Sequence, residues 1–258
     1  MKNVKEKYCL LITLLVCAVA VMIFVPAIPQ SETYHNFADK RTIFCINNCW
    51  DVLSNIPFIL VGIAGLVFTI KKILQNDEKL TYLPYAIFFA GVFLTGFGSA
   101  YYHLNPTTAT LVWDRLPMTI SFMAFFSAII SERISKKIGQ GMLLPLLFIG
   151  IGSILYWIWT EGLGIGDLRI YALVQFIPIT FIPIIILLFP SKYTRGNDLF
   201  YVLGFYGLSK LFEALDTQIF ALFGGIISGH TLKHLAAAVA VYWLLRMLKK
   251  RKKRKELT

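Results

Sequence analysis

The chain has 258 residues and is 57% hydrophobic but only 15% charged, with a mean hydropathy of +0.68. A water-soluble surface is not built from that composition, so a soluble enzyme and any sizeable aqueous head are excluded. The formal net charge of +11 does not indicate nucleic acid, because no aromatic-interleaved or globular basic element accompanies it.

Apolar runs of about 20 residues, the length needed to cross a hydrocarbon core as a helix, recur eight times. They cover about 8–28, 50–71, 81–103, 109–131, 141–159, 168–190, 198–222 and 229–248, and short polar connections join them. The expected fold is an all-α polytopic transmembrane helix bundle, with a seven-helix core preceded by one N-terminal transmembrane helix. The chain divides into a signal-anchor helix over 1–28, a seven-transmembrane unit over 29–248 and a basic tail over 249–258. The first run is read as an uncleaved anchor, since apolar residues continue through Val21-Met22-Ile23-Phe24-Val25 beyond any cut at Ala18-Val19-Ala20.

The basic residues give an orientation. With the N-terminus inside, nineteen Lys and Arg fall on inner segments, whereas only Lys40, Arg41 and Arg169 fall on outer ones. That asymmetry predicts a multi-pass cell-membrane protein with both termini cytoplasmic. The C-terminal cluster Arg246, Lys249 to Arg254 and Lys255 is expected to lie against anionic lipid. Cys45 and Cys49, on the longest outer connection, are read as free thiols or a strained pair.

An ionisable side chain within a span is costly, so the few present are functional candidates. The third run ends in Gly98-Ser99-Ala100-Tyr101-Tyr102-His103, the fourth opens with Trp113-Asp114-Arg115-Leu116-Pro117-Met118, and the eighth opens with His230-Thr231-Leu232-Lys233-His234. Residues i and i+4 share one helical face, so Ser99 aligns with His103 and His230 with His234. Helices of opposite direction then bring His103, His230, His234 and Asp114 to one depth, near the outer face. Three neutral imidazoles with an open fourth position suit catalytic Zn²⁺. A nearby carboxylate can act as general base and a hydroxyl can polarise a substrate oxygen, which makes Asp114 and Ser99 the catalytic candidates. Interfacial histidines hydrogen-bonded within the bundle are the plainer alternative.

Lys210, Glu213 and Asp216 occupy the seventh run. The i,i+3 spacing lets Lys210 and Glu213 neutralise each other. Asp216 is expected either to accept the second ring N–H of a metal-bound histidine or to serve packing. Arg115 and Lys233 read as counter-charges. A transporter using Lys210, Glu213 and Asp216 as a proton path is a further alternative, although no inverted repeat is visible.

Taken together, Trp50 to Asn55 ending in Ser54-Asn55, Gly98-Ser99-x-x-x-His103, Asp114-x-Leu116-Pro117-Met118, Asp216 and His230-x-x-x-His234 resemble the alkaline ceramidases of the CREST superfamily of seven-helix membrane proteins. The resemblance covers about 34–248. It implies zinc-dependent hydrolysis of the amide of ceramide, or of a related N-acyl lipid, to a sphingoid amine and a fatty acid. By the same resemblance His103, His230 and His234 hold Zn²⁺, with Ser99 and Asp114 beside the activated water. The stretch around Phe37-Ala38-Asp39-Lys40-Arg41 is closer to the prokaryotic branch. The acidic calcium site of the animal members is not matched, since only Glu32, Asp39 and Asp51 stand there. The superfamily also includes receptor relatives, so a receptor-like or regulatory zinc-binding protein without turnover is the alternative function.

Overall fold

The computed structural model describes residues 3–75 and 79–254. Asn3 starts the first helix, α1 (Val4–Phe24), through a reciprocal capping box with Glu6. Pro26 lies just past its end, where a helix cannot continue. The helix leans on the seventh helix, α7 (Arg169–Leu188), and its outward face is almost wholly apolar and exposed.

Between them the second expected run is broken into α2 (Cys49–Leu53) and α3 (Ile56–Leu74). Pro57 in the first turn of α3 removes a backbone donor, so the break falls at Ser54-Asn55. Then follow α4 (Lys79–Leu104), α5 (Thr108–Arg133) and α6 (Lys136–Gly162). Ser and Thr side chains open α5 and α6: Thr107 accepts from the Thr110 N–H and Ser135 from the Ile138 N–H.

The seventh run is also broken. It forms α8 (Asp198–Ala214) and the short α9 (Asp216–Leu222), with Leu215 out of helical register between them. Asp216 is pulled toward the backbone of neighbouring segments, as described below, and Gly224 and Gly225 turn the chain through positive φ. The last helix is α10 (Gly229–Lys250), capped by Ser228.

Among the described residues, six spans are long and apolar enough to cross a membrane: α1, α2 with α3, α4, α6, α7 and α10. This is an all-α bundle of a multi-pass membrane protein. Helix α5 is long enough at 26 residues but less apolar, because its polar side chains turn inward among α4, α6 and α7. Thr119, Ser121, Ser127 and Ser131 are buried there, whereas Leu60, Val67, Phe148, Leu155 and Leu187 face outward. Apolar outside and polar inside is the pattern expected where lipid is the solvent.

Helix α4 lies between α3 and α5, and α10 packs on α8 and α3. The approach of α4 to α5 is close: a Cβ at Gly98 would sit 1.9 Å from the Trp113 carbonyl oxygen. Only glycine lets the two backbones come that near beside Ser99 and Asp114.

Within the basic C-terminus one side chain turns inward rather than outward. The Arg251 side chain is 2% exposed and donates to Glu132 at 2.6 Å. The backbone of Lys252 and Arg254 bonds to residues 192–194. An ion pair formed away from water is charge-assisted and strongly directional, which holds this guanidinium inside the bundle. Lys255, also assigned to the tail, lies outside the described residues.

On the connection between α6 and α7, Arg169 donates to both carboxylate oxygens of Asp167 and to the Val25 carbonyl, tying α1 to the bundle. The Arg169 hydrogen bonds hold the Asp167 carboxyl at about 2, below its ordinary 3.8. A depressed carboxylate stabilises the fold fully above the unfolded value and loses that effect as pH falls through the folded one. The melting-temperature gap between wild type and Asp167→Asn is therefore expected to be constant above about pH 5 and to close toward pH 2. A gap that widened on acidification would contradict this assignment.

Candidate metal centre

His103 lies in the last turn of α4, and His230 and His234 lie in the first two turns of α10. All three are buried. Their ring centroids are 4.8 Å (His103–His230), 5.0 Å (His103–His234) and 4.8 Å (His230–His234) apart. One nitrogen from each falls within 4.8 Å of the others, and the Nε2 atoms of His103 and His230 are 3.2 Å apart. Two helices separated by more than a hundred residues thus converge where the one-turn spacing predicts.

This set fits a divalent metal. Three buried imidazoles each bring one ligand nitrogen into the same small space, and Nδ1 of His103 has no hydrogen-bond partner among the described residues. The all-nitrogen donor set suits Zn²⁺ among the common cations.

Neighbouring elements hold the rings in place. Nδ1 of His234 is 2.7 Å from Ser54 Oγ, and that hydroxyl also bonds the Asp51 carbonyl. The break between α2 and α3 therefore presents Ser54 to the ring. Asn48, in left-handed backbone that asparagine tolerates, donates to the His103 carbonyl at 2.8 Å. Phe37 from the connection after α1 covers His103 and His230, at 4.7 and 4.4 Å between ring centroids.

Asp51 is fully buried and receives the hydroxyls of Thr231 at 2.7 Å and Ser228 at 3.2 Å. It fixes the start of α10, and with it the two histidines. Ser54 and Asp51 have no assigned role in the sequence reading. A polar run just ahead of a proline-started span was the available signal, but nothing local states which side chain reaches a ring 180 residues away.

Asp216 does not meet a histidine ring. Its two oxygens take backbone N–H groups, from His230 at 2.7 Å and Ala38 at 2.9 Å. The His230 N–H is one of the donors left unsatisfied at a helix start, and a carboxylate there is favoured by the helix dipole as well. Gly229 permits the contact, since a Cβ on it would fall 2.6 Å from Asp216 Cα.

Glu213 pairs with Lys210 at 2.8 Å, as its spacing suggests, and also with Lys233 at 2.7 Å. Lys233 Nζ lies 3.2 Å from His230 Nε2. Glu213 is thus engaged by two ammonium groups and Asp216 by backbone, whereas Asp51 takes both hydroxyls on Oδ1 and its buried Oδ2 has no hydrogen-bond partner among the described residues.

Asp114 differs. It is buried, forms no ion pair among the described residues, and is within hydrogen-bonding reach of Ser99. Asp114, Ser99 and His234 together line a cavity of about 270 Å³. Its far side is apolar, built from Phe88, Phe122, Phe125, Pro178 and Ile182 among others. A polar end beside the histidines and a long apolar remainder match an amphiphile rather than a sugar or nucleotide.

No curated protein matches the sequence. The family model described as Ceramidase matches residues 41–256, which takes in the three histidines, Ser99, Asp114 and the cavity wall apart from Tyr34, and leaves out α1. The order of these residues along the chain and their meeting at one end of the bundle agree with that match, and the chain belongs to the ceramidase family.

Proposed function

We propose that this protein is a zinc-dependent membrane amidohydrolase that cleaves the amide of ceramide, or of a related N-acyl lipid, to a free amine and a fatty acid. The observation that carries the reading is the meeting of three histidines with an unpaired carboxylate at the polar end of an apolar cavity.

His103, His230 and His234 would hold the ion, which when bound supplies a Lewis acid that makes water a better nucleophile near neutral pH and polarises a carbonyl. The apolar wall takes the acyl chain and places the amide at the polar end. Asp114 accepts the proton of the attacking water as the new C–O bond forms. It then returns that proton to the nitrogen as the C–N bond breaks, so the products are a carboxylic acid and an amine.

Ser99 has a single hydroxyl hydrogen, directed at Asp114 while the carboxylate is charged. Once Asp114 is protonated, that hydrogen is released to the substrate oxygen that has gained charge. Two groups on facing helices thus exchange one hydrogen bond in step with the proton transfer.

The basic-residue asymmetry supports placing both termini in the cytoplasm and the site near the outer face. The exposed side chains of Lys249, Lys250, Lys252 and Lys253 are suited to anionic lipid on that inner side.

The test is a panel of N-acyl lipids incubated with purified protein, with fatty-acid release measured with and without chelator. Release that stops on chelation and returns with zinc is expected. Stoichiometric zinc with no release from any lipid would instead support the receptor-like reading.

Ser54→Ala is expected to weaken zinc binding about 10- to 100-fold, because the His234 ring loses the group that orients it. Competition against a chelator of known affinity measures this, and an unchanged affinity would remove Ser54 from the site.

A further inference from the structure

Arg115 adjoins Asp114 in α5 and, among the described residues, is the Lys or Arg lining the cavity that forms no ion pair. Three basic and two acidic side chains line that space: Arg115, Lys210 and Lys233 against Asp114 and Glu213. Glu213 is occupied by both lysines. Arg115 forms no ion pair among the described residues. It is 6% exposed, and its Nη1 is buried with no hydrogen-bond partner.

Aromatic rings hold the guanidinium. Its central carbon lies 4.8 Å from the ring centres of Trp157 and Tyr171 and 5.2 Å from that of Tyr34. Trp157 is fully buried and comes from α6, Tyr171 comes from α7, and Tyr34 comes from the 3-10 turn Glu32–His35 between α1 and α2. Three separate elements therefore fix the plane of one side chain. Ring faces stabilise a cation but accept few of its five N–H donors. A buried cation inside a membrane bundle that makes no salt bridge, even with a carboxylate nearby, is costly unless an anion completes it.

We infer that Arg115 is the binding point for an anionic oxygen group of a lipid, such as a carboxylate, sulfonate or phosphate, at the polar end of the cavity. This rests on the proposed function for the identity of the cavity's occupant and adds the charge that the occupant carries. A guanidinium held flat by rings offers two parallel N–H donors, the arrangement that takes two oxygens of one anion at once. Lysine at this position would keep the charge and lose both the stacking and the paired donors. The anion has two possible sources, the headgroup of the substrate and the carboxylate of the released fatty acid.

The experiment uses the full-length, zinc-loaded protein in nanodiscs. Binding of hexadecanesulfonate and of hexadecanol is compared by calorimetry in wild type, Arg115→Gln and Arg115→Lys, with zinc content confirming that the fold persists. Wild type is expected to bind the sulfonate at least tenfold more tightly than the alcohol. The preference should vanish in Arg115→Gln and be reduced in Arg115→Lys, which also serves where the glutamine variant does not fold.

Two kinetic arms separate the sources. A higher kcat/KM for an N-palmitoyl lipid with a carboxylate headgroup than for neutral N-palmitoyl sphingosine, lost in Arg115→Gln, places the headgroup at Arg115. Equal kcat/KM values with palmitate inhibition that depends on Arg115 place the product there. Equal sulfonate affinity in wild type and both variants overturns the inference. Because the binding arm requires no turnover, a failure to hydrolyse any lipid counts against the proposed function and leaves this inference to be judged on affinity alone.

Discussion

Replacing His230 and His234 together by alanine is expected to abolish stoichiometric zinc binding and to lower hydrolysis by about three orders of magnitude or more, since a metal contributes several kcal/mol of charge stabilisation and each 1.4 kcal/mol is about tenfold. The two rings sit one turn apart on α10 and, with His103, supply every donor of the cluster. Losing both leaves one imidazole, which does not retain Zn²⁺ against water. Metal content by mass spectrometry and fatty-acid release are read on the same preparation. Because the His230 ring packs under Phe37 and the His234 ring against Phe58, the melting temperature is measured alongside, and the chelated wild type gives the comparison in which no side chain has been removed. Full turnover in the metal-free variant would sink the catalytic-zinc proposal.

Asp114→Asn is expected to lower kcat about 10²- to 10⁴-fold, the range of a lost general base, while zinc content stays at the wild-type level. The amide is nearly isosteric and can still meet Ser99, so packing between α4 and α5 is preserved. What it cannot do is accept the proton. The choice of this residue follows from its place beside His234 on the cavity wall, which Asp51 and Asp216 do not line, and from the two lysines that occupy Glu213. A base held in a salt bridge to Lys233 would have to break it to act, and Glu213 rather than Asp114 takes that lysine. Loss of zinc in Asp114→Asn would make the carboxylate a metal ligand, and near wild-type kcat would remove it from the reaction.

The two predictions also separate two ways of losing activity. The histidine variant loses ion and turnover together, whereas the aspartate variant keeps the ion. A protein that binds zinc for structure alone would lose stability in the first and show no rate effect in the second.

The sequence by itself determined what depends on short-range repeats. Hydrophobic runs of membrane length produce the all-α bundle, i,i+4 spacing puts His230 and His234 on one face, and i,i+3 spacing pairs Lys210 with Glu213. These features were legible because helical periodicity is a local property that each segment carries alone. Opposed helix directions extended the reading to His103, since the end of α4 and the start of α10 must share one end of the bundle.

Only the tertiary structure decided which distant groups meet. Asp216 turned to the backbone of His230 and Ala38 rather than to a ring, because an unsatisfied N–H at a helix start competes for the same oxygens. Ser54 reached His234 through a break that apolar continuity across 50–71 conceals. Arg251 left the basic tail for buried Glu132, and Arg115, read as a counter-charge or snorkelling residue, sits in a cage of rings from α6, α7 and the loop after α1. In each case the partner lies far along the chain, and its approach is set by how whole helices pack, which no pattern within one segment records.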